Sequence, residues 1–350
     1  MFRCTPFCVI LCMTSNWDTR GSIGMNDQLK ARCKRFVSTE KTLHKVFPLQ
    51  MPYVYPLCAL LFLEAGKEPE SRKLRECDKL FAKKSGLSFD FSGTSTLMVI
   101  SQMSMTKEPE ELLEKIQRAK KVLKKEFPLA MEAIPLAAVL LSQEEEAEWE
   151  TISERAKEIF ANITKHNRIL TTGGDIIFAL LLAIHDKDAI AVLDEAEACY
   201  QYLKTAMPMT EPVTLSRVLA FGRGDTLEEK CDRFLNLYNK LKEQGQPYGK
   251  QYQLPMLGLA SLLPEDAEDV LKDIMEVDNY LSRQDLYRGL LNWYSRTVRL
   301  MHAAMIVASS GQDDLDDTDA AKYAQNAVYA RNAALAMQIS VWSLFYLLFV

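Results

Sequence analysis

Lys67-Glu68-Pro69-Glu70 returns 40 residues later as Lys107-Glu108-Pro109-Glu110, and both copies stand in the same context. Each follows a short apolar run, Leu57-Cys58-Ala59-Leu60-Leu61-Phe62 before the first and Leu97-Met98-Val99-Ile100 before the second. Each leads into a charged stretch. Proline is tolerated in the first turn of a helix, where its missing N–H has no acceptor to serve. Glutamate just behind it suits the positive end of the helix dipole. The repeat therefore predicts a two-helix unit, one helix apolar almost all round and the other with one wet face.

The apolar runs continue as Leu136–Leu141, Phe178–Ala183, Leu215–Ala220 and Leu254–Leu259, with starts 40, 39, 42, 37 and 39 residues apart from Leu57 onward. A seventh begins at Leu300 after 46 residues, which points to an insertion in between. The intervening segments carry stripes at helical spacing: Leu113, Ile116, Ala119, Val122 and Leu123; Ile152, Ala156, Ile159 and Phe160; Cys231, Phe234, Leu235 and Tyr238; Val270, Ile274, Val277 and Leu281. Thr226-Leu227-Glu228-Glu229 has the spacing of a capping box, and Glu114 and Arg118 are placed for an i,i+4 pair. Gly (14) and Pro (13) are scarce for 350 residues, too few for many short strands. The expected fold is all-α, an array of about six antiparallel helical pairs, α-solenoid-like with a HEAT-like period. One pair cannot cover its own apolar face, so stability must come from stacking.

Leu170-Thr171-Thr172-Gly173-Gly174-Asp175 with the run after it, Tyr252-Gln253-Leu254-Pro255-Met256-Leu257-Gly258, and Leu300-Met301-His302-Ala303-Ala304-Met305 resemble, in combination, a bacterial family known as domain of unknown function 4003. The likeness covers about residues 25–310. The family has no assigned activity, so the resemblance implies no catalytic or binding residue.

Three segments are expected: an N-terminal extension over 1–24, the helical-repeat domain over 25–310, and an acidic linker with an Ala-rich, apolar C-terminal helix over 311–350. The basic amphipathic stretch after Met25 reads as the first, capping helix of the array. Residues 333–350 carry no charge and just reach membrane-spanning length, so a C-terminal membrane anchor stands as the alternative to a cytoplasmic location. The net charge of -5 equals the five aspartates between Asp313 and Asp319, and the remainder is balanced. With no basic field, nucleic acid is not an expected partner. The eight cysteines show no CxxC pair and read as reduced, mostly buried thiols.

No zinc, Walker, nucleotide-binding or nucleophile-elbow motif occurs among these residues, so no catalytic, cofactor-binding or metal-ligating residue is assigned. Thr171 to Asp175 reads as a helix cap. Arg223-Gly224-Asp225 reads as an inter-helix turn. The aromatic, Arg-rich stretch 282–298 resembles what binding surfaces use, and Tyr287, Arg288, Trp293 and Tyr294 are the candidate partner-binding residues. The expected function is a non-enzymatic protein-binding scaffold. A membrane-associated protein and an enzyme with an unrecognised site are the alternatives.

Overall fold

A computed structural model describes residues 25–85, 94–128, 133–166, 173–184, 188–208, 212–222, 226–246, 248, 253–288 and 294–310. Among them there is no strand. The helices alternate between two layers. The outer ones are α1 (Asp27–Val46), α3 (Ser71–Ser85), α5 (Pro109–Glu126), α7 (Trp149–His166), α9 (Ala189–Ala206), α11 (Leu227–Glu243) and α13 (Ala267–Ser282). The inner ones are α2 (Val54–Glu64), α4 (Thr94–Met105), α6 (Ile134–Leu141), α8 (Gly173–Ile184), α10 (Val213–Ala220), α12 (Leu254–Ser261) and α14 (Arg296–Ala308).

The inner helices start at residues 54, 94, 134, 173, 213, 254 and 296, a beat of 39 to 42 residues. Among the described residues the array thus holds seven pairs, one more than the six or so expected. The 46-residue gap read from the apolar runs shrinks to 42 between helix starts, because α14 begins four residues ahead of its run at Leu300; the extra length lies in its entry connection, residues 283–295, which is longer than the other connections into inner helices and carries a short 3-10 turn at Asp285–Tyr287. Pro109 opens α5, as its motif predicts, whereas Pro69 lies two residues ahead of α3.

Each outer helix packs on its own inner partner and on the next outer helix, and the inner helices likewise follow chain order, with only sparse contact between α8 and α10. Among the described residues the array is not open-ended. Helix α1 lies against α13 and α14, and α14 against α2. The first pair meets the last, and the two layers close into a ring. The capping role expected of α1 is therefore replaced by burial on two sides: Leu29, Cys33, Phe36, Val37 and Leu43 are all core residues. Closure removes the two raw ends that a solenoid must otherwise cover.

The inner helices form the core. Every residue of α12 is buried, and nearly every one of α2 and α6. A fully buried leucine is worth about 1.5–3 kcal/mol, so this layer is where the fold gains its stability. Gly258 lets α12 approach α10 closely: a Cβ there would lie 2.4 Å from Leu215 Cδ1. Gly66 ends α2 in the left-handed region at φ 63°, which its missing Cβ permits, and Lys67 N then donates to the Phe62 carbonyl.

Basic side chains on outer helices satisfy carbonyls left open where inner helices end. Lys73 Nζ donates to Thr106 O at 2.8 Å and Lys115 Nζ to Glu144 O at 3.2 Å. Arg233 does the same to Leu263 O. Cations suit the negative end of a helix. The outer surface is laced by ion pairs between neighbours: Lys84 with Glu110 and Glu114, Arg118 with Glu146, Lys157 with Glu126, Lys240 with Glu268. Glu114 and Arg118 thus reach across to adjacent units instead of pairing along their own helix. Such exposed pairs, screened by water and salt, each add little to stability.

Candidate functional site

Two polar assemblies interrupt the apolar interior. The first sits where the ring closes and contains two of the four residues singled out for partner binding. Tyr287 ends a short 3-10 turn and Tyr294 precedes α14; they are 2% and 3% exposed. Their hydroxyls converge on Glu40 of α1. Tyr294 Oη donates to Glu40 Oε1 at 2.5 Å and lies 2.9 Å from Pro52 O. Tyr287 Oη is 3.3 Å from Glu40 Oε2 and 2.7 Å from His302 Nδ1. The rings of Tyr294 and His302 meet edge to face at 4.9 Å. Both tyrosines face inward, because a buried phenol needs a partner for its hydroxyl and the Glu40 carboxyl supplies it. Arg288 is exposed, and Trp293 lies outside the described residues.

Burial pushes the Glu40 carboxyl up to about 7, with the two tyrosine hydroxyls pulling it back. Burial pushes His302 down to about 3, so its ring is neutral and can accept through Nδ1. Both tyrosines are raised well above their ordinary range, by burial first and by Glu40 second. The sequence carried a sign of Glu40: Leu29, Cys33, Phe36, Glu40 and Leu43 form one helical stripe, and a carboxylate in it must find partners. His302, inside the last apolar run, carried the same sign.

The second assembly lies between the fourth and fifth pairs. Among the described residues, α8 and α10 make the thinnest contact of any two neighbouring inner helices. Asp175 and Arg217 form an ion pair across that gap, 0% and 8% exposed at their side chains. Asp175, expected at a helix cap, is instead the third residue of α8 and a buried charge partner. The Arg217 guanidinium also lies over the Phe178 ring, 5.4 Å from its centroid, a favourable stacking for a planar cation. Thr171, Thr172 and Arg223-Gly224-Asp225 lie outside the described residues.

Outward from this pair the seam opens into a recess of about 420 Å³. Ile163, Phe178, Leu193 and Val213 give it apolar walls, and Asp194, Glu197, Tyr200 and Arg217 bring polar groups to its edge. Ile190 stands beside it, 63% exposed. The acidic residues come from α9, where Asp194 and Glu197 lie three apart and share a face. Gln201 Nε2 donates to Glu197 Oε1 at 2.7 Å. Neither assembly holds the cluster of ligands a metal needs: among the described residues no three His, Cys, Asp or Glu side chains gather for one. Nor is any described helix long and apolar enough to cross a membrane, and residues 333–350 lie outside the described set.

A family model described as a protein of unknown function, DUF4003, matches residues 41–338. No curated protein and no solved structure matches the chain.

Proposed function

We propose, for a chain that belongs to the DUF4003 family of proteins of unknown function, that its ring is a binding protein for a small organic molecule held in the seam between the fourth and fifth helical pairs. One observation carries this reading. The seam recess of about 420 Å³ joins apolar walls to polar side chains, among them Arg217, which is paired with the buried Asp175 behind it. Small-molecule sites have this size and this mixture. A buried ion pair costs desolvation that a well-packed apolar contact would not. Its placement beside a cavity favours a role in recognition over one in stability.

The test is methyl NMR on the full chain with a set of small organic fragments. Binding is expected to move the methyl signals of Ile163, Ile190, Leu193 and Val213 together. Ala196→Phe, which builds a ring into the recess, is expected to abolish the response while the far-ultraviolet circular dichroism stays helical. Shifts scattered over the ring, or none, would refute the reading.

A protein-binding role is the second reading. Leu49 is 95% exposed and Met51 38%, and both stand in the loop whose Pro52 carbonyl lies against Tyr294. Arg288, also exposed, flanks the other tyrosine of that cluster. Apolar side chains beside an arginine are a common interface composition. Loss of a captured protein partner on replacing Leu49 and Met51 with serine, with unchanged melting temperature, would support this reading; retention would count against it.

A further inference from the structure

Two buried thiols face each other away from the recess. Cys199 of α9 and Cys231 of α11 are fully buried, and their helices pack as neighbouring outer helices of the fifth and sixth pairs. Two cross-helix contacts bracket them. Lys230, next to Cys231, pairs with Glu195, one turn before Cys199. Asp232, on the other side of Cys231, accepts from Tyr202 Oη at 2.7 Å, one turn after Cys199. Between these clamps the Cys231 thiol donates a hydrogen bond to the Cys199 sulfur. That bond holds the Cys199 thiol below its ordinary value against the cost of burial, and the Lys230 ammonium adds to the effect. Cys231 is raised, by Cys199 first and by burial second. The other described cysteines differ: burial pushes Cys33 and Cys58 up to about 12 and raises Cys77.

We infer that Cys199 and Cys231 form a redox modification site, joining as a disulfide between the fifth and sixth units when the chain meets a peroxide. The Cys199 thiolate attacks one peroxide oxygen, the O–O bond breaks, and the departing hydroxide takes up the thiol's proton as water. Cys199 is then a sulfenic acid, oxidised by two electrons. The Cys231 sulfur attacks the Cys199 sulfur, the S–O bond breaks, and the leaving hydroxide takes the Cys231 proton as a second water. Two thiols and one hydrogen peroxide thus give one disulfide and two waters. The sulfurs start in hydrogen-bond contact and close to ~2.05 Å, an approach that side-chain rotation within the α9–α11 contact supplies. Peroxide reaches them by local opening of α9, which borders the seam where the inner helices touch least.

The test is peptide mapping of the full chain after exposure to hydrogen peroxide at about pH 7, with Cys4→Ser, Cys8→Ser and Cys12→Ser so that only the five described thiols report. A Cys199–Cys231 crosslinked peptide, reversed by dithiothreitol, is expected to form roughly tenfold or more faster than Cys33, Cys58 or Cys77 is oxidised. Cys231→Ala is expected to stop the reaction at the sulfenic acid, captured on Cys199 by dimedone added with denaturant. Cys199→Ala is expected to leave Cys231 unreacted. Should either alanine variant not fold, the crosslink in the parent chain and its rate against the other three thiols still decide. No crosslink in excess peroxide would overturn the inference. So would similar rates at all five thiols, which would place the oxidation in the unfolded chain.

Discussion

Arg32, on the first helix, donates through Nη2 to the carbonyl oxygen of Ser309, at the end of the last, at 2.5 Å. The same nitrogen reaches Ser309 Oγ at 2.9 Å and stands 3.7 Å from a Glu64 oxygen at the end of α2. One guanidinium therefore ties both helices of the first pair to α14, which they meet because the ring is closed. Planar, multiply donating arginine suits that task better than lysine.

Replacing it tests the closure directly. Arg32→Ala removes a charge-assisted bond and leaves Glu64 with less compensation, so a loss of about 2–4 kcal/mol is expected in urea unfolding. The location of the effect matters as much as its size. Hydrogen exchange should accelerate in α1, α2 and α14 and stay unchanged in α6. A uniform acceleration around the ring would mean that closure is not a local joint.

Glu40 and His302 make the same junction sensitive to pH in opposite senses. Glu40 has its folded value raised to about 7 from an ordinary 4.5. Its contribution is fully present below pH 4.5 and is lost as pH rises through about 7. His302 has its folded value lowered to about 3 from 6.5. Its contribution is present above pH 6.5 and is lost as pH falls toward 3. Each slope approaches about 1.4 kcal/mol per pH unit. Between pH 4.5 and 6.5 the two oppose each other. Glu40→Gln should therefore unmask a stability that rises with pH across that window. Above pH 7 the variant should exceed the parent by about 3 kcal/mol, less whatever its tyrosine bonds lose. Chemical denaturation at pH 5, 6, 7 and 8 reads both effects, and parallel profiles for the two proteins would contradict the assignment.

Much of this fold could be read from the chain because its period is a property of side chains that repeat. The Lys-Glu-Pro-Glu pair, the apolar runs and stripes such as Leu113, Ile116 and Ala119 predict alternating buried and half-wet helices, and those helices are present. The closure was hidden for a physical reason. The contacts that make it, Arg32 with Ser309 and Glu40 with Tyr294, join residues more than 250 positions apart, and a local periodicity carries no information about such pairs. Glu40 and His302 were visible as polar residues at core positions, but their partners were not. Tyr287 and Tyr294 looked like surface aromatics because composition cannot tell an exposed phenol from one whose hydroxyl has found a buried carboxyl. The seam recess was likewise illegible: Asp175 and Arg217 lie on different units, and only folding sets them together.

The capping box at the start of α11 shows the reverse case, a feature local enough to be read in full. Thr226 Oγ1 accepts from Glu229 N at 3.3 Å, and Glu229 Oε2 accepts from Thr226 N at 2.7 Å. Thr226→Ala is expected to cost about 0.5–2 kcal/mol. Thr226→Ser should restore most of it, since the capping oxygen is kept. A serine variant no more stable than the alanine one would show that the methyl group, not the hydroxyl, matters there.

The approach of α12 to α10 offers the last test. A Cβ on Gly258 would fall 2.4 Å from Leu215 Cδ1, and Leu215 is fully buried, so its side chain has little room to retreat. Gly258→Val adds volume to a closed contact and should destabilise by about 1–3 kcal/mol or more. Leu215→Ala alone should cost about 2–5 kcal/mol by leaving a cavity. Combined, the new valine occupies part of the space the leucine vacates, so the double variant should be more stable than the sum of the single losses predicts. The excess is a coupling between neighbouring units, and its measurement by a double-mutant cycle in urea asks whether these two inner helices touch through this glycine. Simple additivity would place them further apart, with the stability of the ring resting on contacts elsewhere.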